Sequence, residues 1–149
     1  MTDTPDLSLI VPCFDEAASI DSFLRRVEPV LEGLGKPFEI LCIDDGSTDS
    51  TLEKLLEHRS RNPAIKVIRL SRNFGKEVAL TAGLDYARGR AVIPIDCDPQ
   101  DPPELTPDLV EKWGEGYDVV YATWEPRPSD DFTKRLTGQH LKRLPSLGW

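Results

Sequence analysis

The sequence predicts an α/β fold, with a mainly parallel sheet covered by helices on both faces. Short apolar runs rich in β-branched residues alternate with longer segments of helical spacing. This alternation is typical of βαβ units, which place consecutive strands parallel in one sheet. The acidic residues that interrupt the pattern follow the strands directly, at the edge where parallel α/β sheets bind ligands.

Five apolar runs are predicted to be strands, at residues 7–11, 38–43, 65–70, 91–95 and 118–122. The first strand is expected to close at Pro12, because proline has no N–H to donate to a ladder. The predicted edges of the sheet favour self-association, so a homo-oligomer is one expected assembly.

Four segments have helical spacing. In residues 17–34 the apolar positions are three or four residues apart: Ile20, Phe23, Leu24, Val27 and Leu31. Leu52, Leu55 and Leu56 mark the second helix, with Ser47, Thr48 and Ser50 available as N-caps. The third helix spans residues 78–87 and is ended by Gly89. The fourth spans residues 105–113, with Pro102 and Pro103 at its start.

The chain of 149 residues suits one domain with its own core. We expect an α/β domain over residues 1–124, followed over residues 125–149 by a loop and a basic amphipathic tail. The net charge of −8 argues against nucleic-acid binding, which requires a basic surface. From Phe132 onward, however, the chain has basic residues and no acidic ones. This tail either contacts anionic lipid or a further segment, or is a solvated helix end.

The sequence shows neither an apolar run of membrane-spanning length nor a signal-peptide pattern. We therefore expect a cytoplasmic protein, with the cytoplasmic face of a membrane as an alternative. Cys13, Cys42 and Cys97 form no close pair and are odd in number, so we expect buried free thiols rather than disulfides or a zinc site.

Three acidic clusters follow predicted strands: Asp15-Glu16, Asp44-Asp45 and Asp96-Cys97-Asp98. Carboxylates that converge on one edge repel each other unless a cation is present. The spacing of Asp96 and Asp98 lets one or both reach a hard divalent ion that also binds phosphates. The alternative interpretation is a solvated turn, which is common for this tripeptide.

Asp44 and Asp45 have two interpretations as well. They either accept hydrogen bonds from a nucleobase or ribose, or they serve the start of the second helix. Arg72 and Lys76, after the third strand, are candidates for phosphate or ribose contact. The sequence contains no GxGxxG, GxxxxGK[ST] or GxSxG motif, so dinucleotide, P-loop and nucleophile-elbow sites are not indicated.

Taken together, these motifs resemble those of family 2 glycosyltransferases of the GT-A fold, closest to the polyprenyl-phosphate and dolichol-phosphate sugar transferases. The matching stretches are residues 9–16, 43–49, 72–76 and 96–104, in the order and at separations like those of the family. The resemblance covers roughly residues 7–121. It implies that residues 1–124 bind a nucleotide sugar and that the GT-A fold is truncated at its C-terminal side.

The resemblance also implies roles for individual residues. Asp96 and Asp98 would hold Mg²⁺ or Mn²⁺, and Asp98 and Gln100 would be catalytic, with Gln100 near the sugar or acceptor phosphate. Asp45 would contact the base and Asp44 would shape its loop. The full set of implied nucleotide contacts is Pro12, Phe14, Glu16, Asp44, Asp45, Lys76, Asp96 and Cys97.

The implied reaction transfers a sugar, with inversion, from UDP or GDP to a polyprenyl phosphate or similar acceptor. Two departures stand out. The family usually has Asn at the position of Asp15, and Gly-x-Arg where this chain has Ala122-Thr123-Trp124. Family members also continue into an acceptor-side segment. Two alternatives therefore stay open: a nucleotide-sugar-binding fragment without turnover, and an α/β interaction domain without a ligand.

Overall fold

The computed structural model describes residues 4–98 and 101–122. Its strands are β1 (Leu7–Cys13), β2 (Phe38–Asp44), β3 (Ile65–Arg69) and β4 (Ala91–Pro94). Its helices are α1 (Ile20–Gly33), α2 (Thr51–Arg61), α3 (Lys76–Tyr86) and α4 (Thr106–Gly114), with a short 3₁₀ turn at Pro103–Leu105 before α4.

The four strands form one parallel sheet in the order β3-β2-β1-β4. Leu7 pairs with Phe38 and with Ala91, and Ile40 pairs with Ile65. Because every strand runs in the same direction, all four carboxyl ends lie at one edge, which we call the carboxyl edge. The predicted parallel α/β sheet is confirmed.

The prediction that Pro12 closes the first strand was wrong, because β1 continues to Cys13. The Ile10 carbonyl accepts a hydrogen bond from Ile95 N–H on the side of β4. Along a strand, the backbone groups of every second residue point to the same neighbouring strand, so those of Pro12 also point toward β4. The pairing of β1 with β4, however, ends at Ile10–Pro94. The missing N–H of Pro12 is therefore needed by no ladder partner.

Helices cover both faces of the sheet. All five predicted apolar positions of α1 are buried, and they pack with β1, β2 and Leu55 of α2 in one core. The opposite face packs against α3 through Ile10, Leu41, Ile43 and Ala79. Of the three leucines that mark α2, Leu55 is fully buried in the core and Leu56 is exposed.

The described residues fall into two units, one ending at Glu104 and the other beginning at Leu105. In the second unit, residues 118–122 form no strand, and Val119 and Tyr121 are exposed, so the predicted fifth strand was wrong. A β-forming run becomes a strand only when a neighbouring strand pairs with it. The predicted loop and tail at residues 125–149 lie outside the described residues.

Candidate functional site

The loops that follow the strands meet at the carboxyl edge and contact one another through side chains. They are residues 14–19 after β1, 45–50 after β2, 70–75 after β3 and the segment from residue 95 after β4. Neighbouring strands in the sheet place neighbouring loops side by side. The contacts below join the four loops into one surface.

Asp15 joins the loop after β1 to the loop after β2. Its backbone has the left-handed φ of 52°, which Asp tolerates better than most residues. Its Oδ1 accepts hydrogen bonds from the N–H groups of Thr48 (2.7 Å) and Asp49 (3.3 Å), and its own N–H donates to Ser47 Oγ (3.0 Å). The charge that distinguishes Asp15 from the usual Asn therefore lies where α2 is about to begin and its dipole is positive.

Asp49 makes the reciprocal connection. Its Oδ2 accepts a hydrogen bond from Ala17 N–H at 3.1 Å, and its Oδ1 accepts one from Thr51 N–H at 2.9 Å. Thr51 Oγ1 in turn accepts from Glu16 N–H at 2.9 Å. Ser50, the residue before α2, makes no capping hydrogen bond with its side chain. At the start of α2, Asp49 therefore bonds the N–H of the first helical residue, Thr51, while Asp15 holds the turn just before the helix.

Asp44, at the end of β2, is completely buried. Its Oδ1 accepts a hydrogen bond from Ser47 N–H at 3.1 Å, and Arg69 Nε lies 3.7 Å from its Oδ2. Within the described residues, Oδ2 has no hydrogen-bond partner. The side chain fixes the turn after β2, ahead of the start of α2 at Thr51. It leaves one buried oxygen with capacity to accept another donor.

Asp45 joins the loop after β2 to the loop after β3. Its two carboxylate oxygens accept hydrogen bonds from the N–H groups of Phe74 (2.8 Å) and Gly75 (2.9 Å), and the residue is only 3% exposed. In the structure its direct role is to hold residues 74–75. A contact between Asp45 and a base stays a prediction.

Lys76 joins the loop after β3 to the segment after β4. It directly follows Gly75, which Asp45 holds, and its ammonium contacts the Asp96 carboxylate. Asp96 N–H also donates a long hydrogen bond of 3.4 Å to Asp101 Oδ2. Two of the three predicted acidic clusters, those of Asp45 and Asp96, are therefore linked through Gly75 and Lys76, which are consecutive at the start of α3.

Two aromatic side chains at this edge are substantially exposed, Phe14 at 42% and Phe74 at 43%. The Arg72 guanidinium lies 4.6 Å from the centre of the Phe74 ring, within range of a cation–π interaction. An exposed aromatic face next to an acidic surface is suited to stacking with a planar ring. The sequence analysis selected Phe14 as a candidate contact but not Phe74. No apolar pattern around Phe74 shows whether its side chain is buried or exposed.

Cys97 lies under the acidic surface and is 3% exposed. Burial raises the pKa of its thiol to about 12, against the opposing effect of its 3.7 Å contact with Ser19 Oγ. Contact with the Cys42 thiol, together with burial, raises the pKa of Cys13. Both thiols are therefore protonated at neutral pH and are poor nucleophiles or metal ligands. The prediction of buried free cysteines is confirmed.

The donor chemistry of Asp96 and Asp98 fits a hard divalent cation that keeps some of its waters and also binds phosphate. The Asp96 carboxylate already attracts a positive charge, since the Lys76 ammonium contacts it. Across residues 4–98 and 101–122, no group of three or more His, Cys, Asp or Glu side chains could hold a metal by itself. A cation at this position would therefore need further oxygen ligands from a bound molecule, such as the oxygens of a diphosphate.

The structure brings most of the predicted residues to the carboxyl edge. Pro12 is half-buried near the end of β1, and Glu16 is half-buried where its carboxylate accepts from Ser19 Oγ. Asp98 is exposed in the segment after β4. Gln100 lies outside the described residues. Sequence reasoning missed the linking roles of Asp15 and Asp49, although both positions stand beside a predicted helix start.

Solved structures of glycosyltransferases share this fold. The mannosyltransferase PcManGT from Pyrobaculum calidifontis, solved in complex with GDP-Man and Mn²⁺, matches 80% of this chain and 35% of its own, at 26% identity and a TM-score of 0.63. The parallel sheet is therefore the GT-A fold, of which the chain spans a part.

The sequence places the chain within that class. The sequence profile described as Glycosyl transferase family 2 matches residues 8–148, so the chain belongs to this family. It is 48% identical over 141 residues to an uncharacterized glycosyltransferase of Synechocystis, covering 95% of this chain and 44% of that protein. A prophage bactoprenol glucosyl transferase homolog of Escherichia coli is 42% identical over 138 residues, 93% of this chain and 45% of that protein.

The chain thus spans less than half the length of these curated relatives. Among the described residues, no helix has both the length and the apolar character needed to cross a bilayer.

Proposed function

We propose that this chain forms the nucleotide-sugar-binding part of a metal-dependent, inverting glycosyltransferase. The donor is a UDP- or GDP-sugar and the acceptor is a polyprenyl phosphate or a similar anionic lipid. One observation carries the proposal: Asp45 after β2 and Asp96 after β4 are connected at the carboxyl edge through Gly75 and Lys76, the last loop residue after β3 and the first residue of α3. The mannosyltransferase complex with GDP-Man and Mn²⁺ supports the donor class, and the name of the prophage relative supports the acceptor class.

In this proposal Asp96 and Asp98 hold Mg²⁺ or Mn²⁺ together with the donor diphosphate. When bound, the cation would neutralise the negative charge that develops on the leaving diphosphate. Phe14 offers an exposed ring to the base. Pro12 and Glu16 line the nucleotide pocket, and the buried Asp44 shapes the loop after β2. Asp45 acts largely by holding residues 74–75, since its two oxygens accept their N–H groups.

The acceptor phosphate attacks the anomeric carbon of the sugar from the face opposite the diphosphate. One C–O bond forms to the phosphate oxygen as the C–O bond to the diphosphate breaks, and the configuration inverts. A phosphate oxygen is already ionised near neutral pH, so a strong general base is not required. We assign Gln100 to a contact with the sugar or the acceptor phosphate, as the family resemblance implies.

Isothermal titration calorimetry with UDP, GDP and their sugars, with and without Mn²⁺, tests this proposal. We expect binding that requires Mn²⁺ and that falls at least about tenfold in Asp98→Asn, the size typical of a lost metal ligand or supporting partner. Asp85→Asn, an exposed site near the end of α3, is the matched control and should bind as the unaltered chain does.

Transfer of sugar to a polyprenyl phosphate is then assayed with the same preparation. Metal-dependent binding without transfer would support the binding-fragment alternative. If neither nucleotide nor nucleotide sugar binds under any condition, the chain is better described as an α/β interaction domain. Unchanged affinity in Asp98→Asn would contradict the assignment of the metal to Asp98.

A further inference from the structure

Lys76 contacts the same Asp96 carboxylate that the proposed function assigns to the cation. Lys76 is the first residue of α3, and the preceding residue, Gly75, is fixed by its hydrogen bond to Asp45. The lysine backbone therefore has a defined position, while its side chain is long and 57% exposed. The ammonium can leave Asp96 for another partner without any change in the fold.

We infer that Lys76 is a displaceable counterion that couples cation binding to diphosphate binding. Without a ligand, its ammonium neutralises Asp96 and competes with a divalent cation for that carboxylate. When a cation and a nucleoside diphosphate bind together, the ammonium is released from Asp96 and pairs with the diphosphate. This inference rests on the proposed function and concerns how that same site is filled.

Electrostatics favours the exchange in both states. A carboxylate near a second acidic residue is stabilised by an adjacent ammonium, so in the ligand-free site Lys76 offsets the negative charge of Asp96. A diphosphate brings several negative charges, and a freed ammonium at the rim gains more from them than from one carboxylate. The cation, released from competition, then has access to Asp96. Each ligand therefore raises the affinity for the other, and by thermodynamic linkage the two effects are equal.

The test is the affinity for Mn²⁺ alone, measured by electron paramagnetic resonance of the free ion, in the unaltered chain and in Lys76→Gln. Removing the competing ammonium should tighten Mn²⁺ binding about two- to fivefold, as expected for the loss of one exposed ion pair. Lys76→Arg keeps the positive charge and should bind Mn²⁺ as the unaltered chain does. Lys36→Gln removes a charge from an exposed residue just before β2, at the opposite edge of the sheet, and should change nothing.

The second measurement repeats the titration with UDP and with GDP at saturating concentration, after subtracting the metal–nucleotide complex formed without protein. The nucleotide should tighten Mn²⁺ binding more in the unaltered chain than in Lys76→Gln, because the variant has no ammonium to transfer. Structural damage in Lys76→Gln would weaken Mn²⁺ binding. Tighter binding in this variant therefore indicates loss of the competing ammonium and not damage to the fold.

Unchanged or weaker Mn²⁺ binding in Lys76→Gln, with nucleotide binding intact, would overturn the inference and leave the proposed function standing. The inference would also be overturned if the nucleotide tightened Mn²⁺ binding equally in the unaltered chain and in Lys76→Gln. If none of the proteins binds Mn²⁺ with or without UDP or GDP, the proposed function fails and the inference fails with it.

Discussion

Gly46 lies where the loop after β2 meets the backbone of the loop after β3. Its φ is +69°, a region that residues with a Cβ rarely adopt. A Cβ at this position would lie 2.4 Å from the carbonyl carbon of Arg72 and 2.6 Å from the nitrogen of Asn73. The close approach of these two loops, which brings Asp45 to the backbone of residues 74–75, therefore depends on the absence of a side chain at position 46.

Gly46→Ala should lower the free energy of unfolding by roughly 3 kcal/mol or more, because it combines an unfavourable φ with a clash against backbone that cannot move independently. Gly35→Ala is the matched control. Gly35 also has a positive φ, +61°, but among the described residues no atom beyond its chain neighbours lies within 4 Å of the position that a Cβ would take. That variant should lose only about 1–2 kcal/mol. Urea unfolding of both variants measures the difference, and equal losses would contradict a role for the loop contact.

The limits of sequence reasoning are visible at these same residues. The acidic motif from Asp44 to Ser47 was apparent because charged residues interrupt an apolar pattern. Asp15 was noted as part of an acidic cluster and as an unexpected charge, but its hydrogen bonds to residues 48–49 depend on the pairing of β1 with β2. Contacts between residues far apart in sequence follow from the sheet order, which a single sequence does not determine.

At the scale of elements, Glu39 ties the other edge of the sheet together. This β2 residue is 2% exposed. Its carboxylate accepts hydrogen bonds from Ser8 of β1, from the Lys66 ammonium of β3 and, at 2.8 Å, from Arg88 N–H in the turn before β4. Burial by itself raises the pKa of Glu39, but these three donors outweigh it and hold the pKa below its ordinary value.

Glu39→Gln should lower the free energy of unfolding at pH 7 by about 1–3 kcal/mol, because the Lys66 ammonium loses its charged partner. Since the folded pKa is depressed, this contribution is complete above the ordinary Glu pKa of about 4.3 and is lost as the pH falls through the folded value. The gap between variant and unaltered chain should therefore narrow in urea unfolding below about pH 4. Glu53→Gln, at an exposed position in the first turn of α2, loses only an interaction with the helix dipole and should lower the free energy of unfolding by less than about 1 kcal/mol at pH 7.

The prediction of elements succeeded where one segment carries its own pattern. The five apolar positions of α1 repeat at helical spacing and are all buried. It was wrong at residues 118–122. These residues have the composition of a strand, but a strand also requires a neighbouring strand to pair with. The burial of Glu39 likewise depends on other segments of the chain. A charged residue inside an apolar run is expected to face solvent, but the structure places donors from Ser8, Lys66 and Arg88 around this carboxylate.

At the scale of the whole molecule, the predicted ligand contacts, from Pro12 to Asp98, come from the ends of β1 and β2, from the loops after β1, β2 and β4, and from the start of α3. Three of these loops are tied directly to one another, through Asp15 on one side and Asp45 on the other. A ligand held by these loops stabilises the sheet that positions them, provided that the loops and the sheet unfold together. Binding and global stability are then linked.

We therefore expect UDP or GDP together with Mn²⁺ to raise the melting temperature of the chain. At a ligand concentration one hundred times Kd, linkage adds about 2.7 kcal/mol, which corresponds to an increase on the order of 10–20 °C for a domain near 100 residues. Differential scanning fluorimetry measures the shift, and Asp98→Asn should show little of it under the same conditions. If calorimetry detects binding while the melting temperature stays constant, the loops open before the sheet melts. The contacts of Asp15 and Asp45 would then be too weak to make the carboxyl edge and the core one cooperative unit.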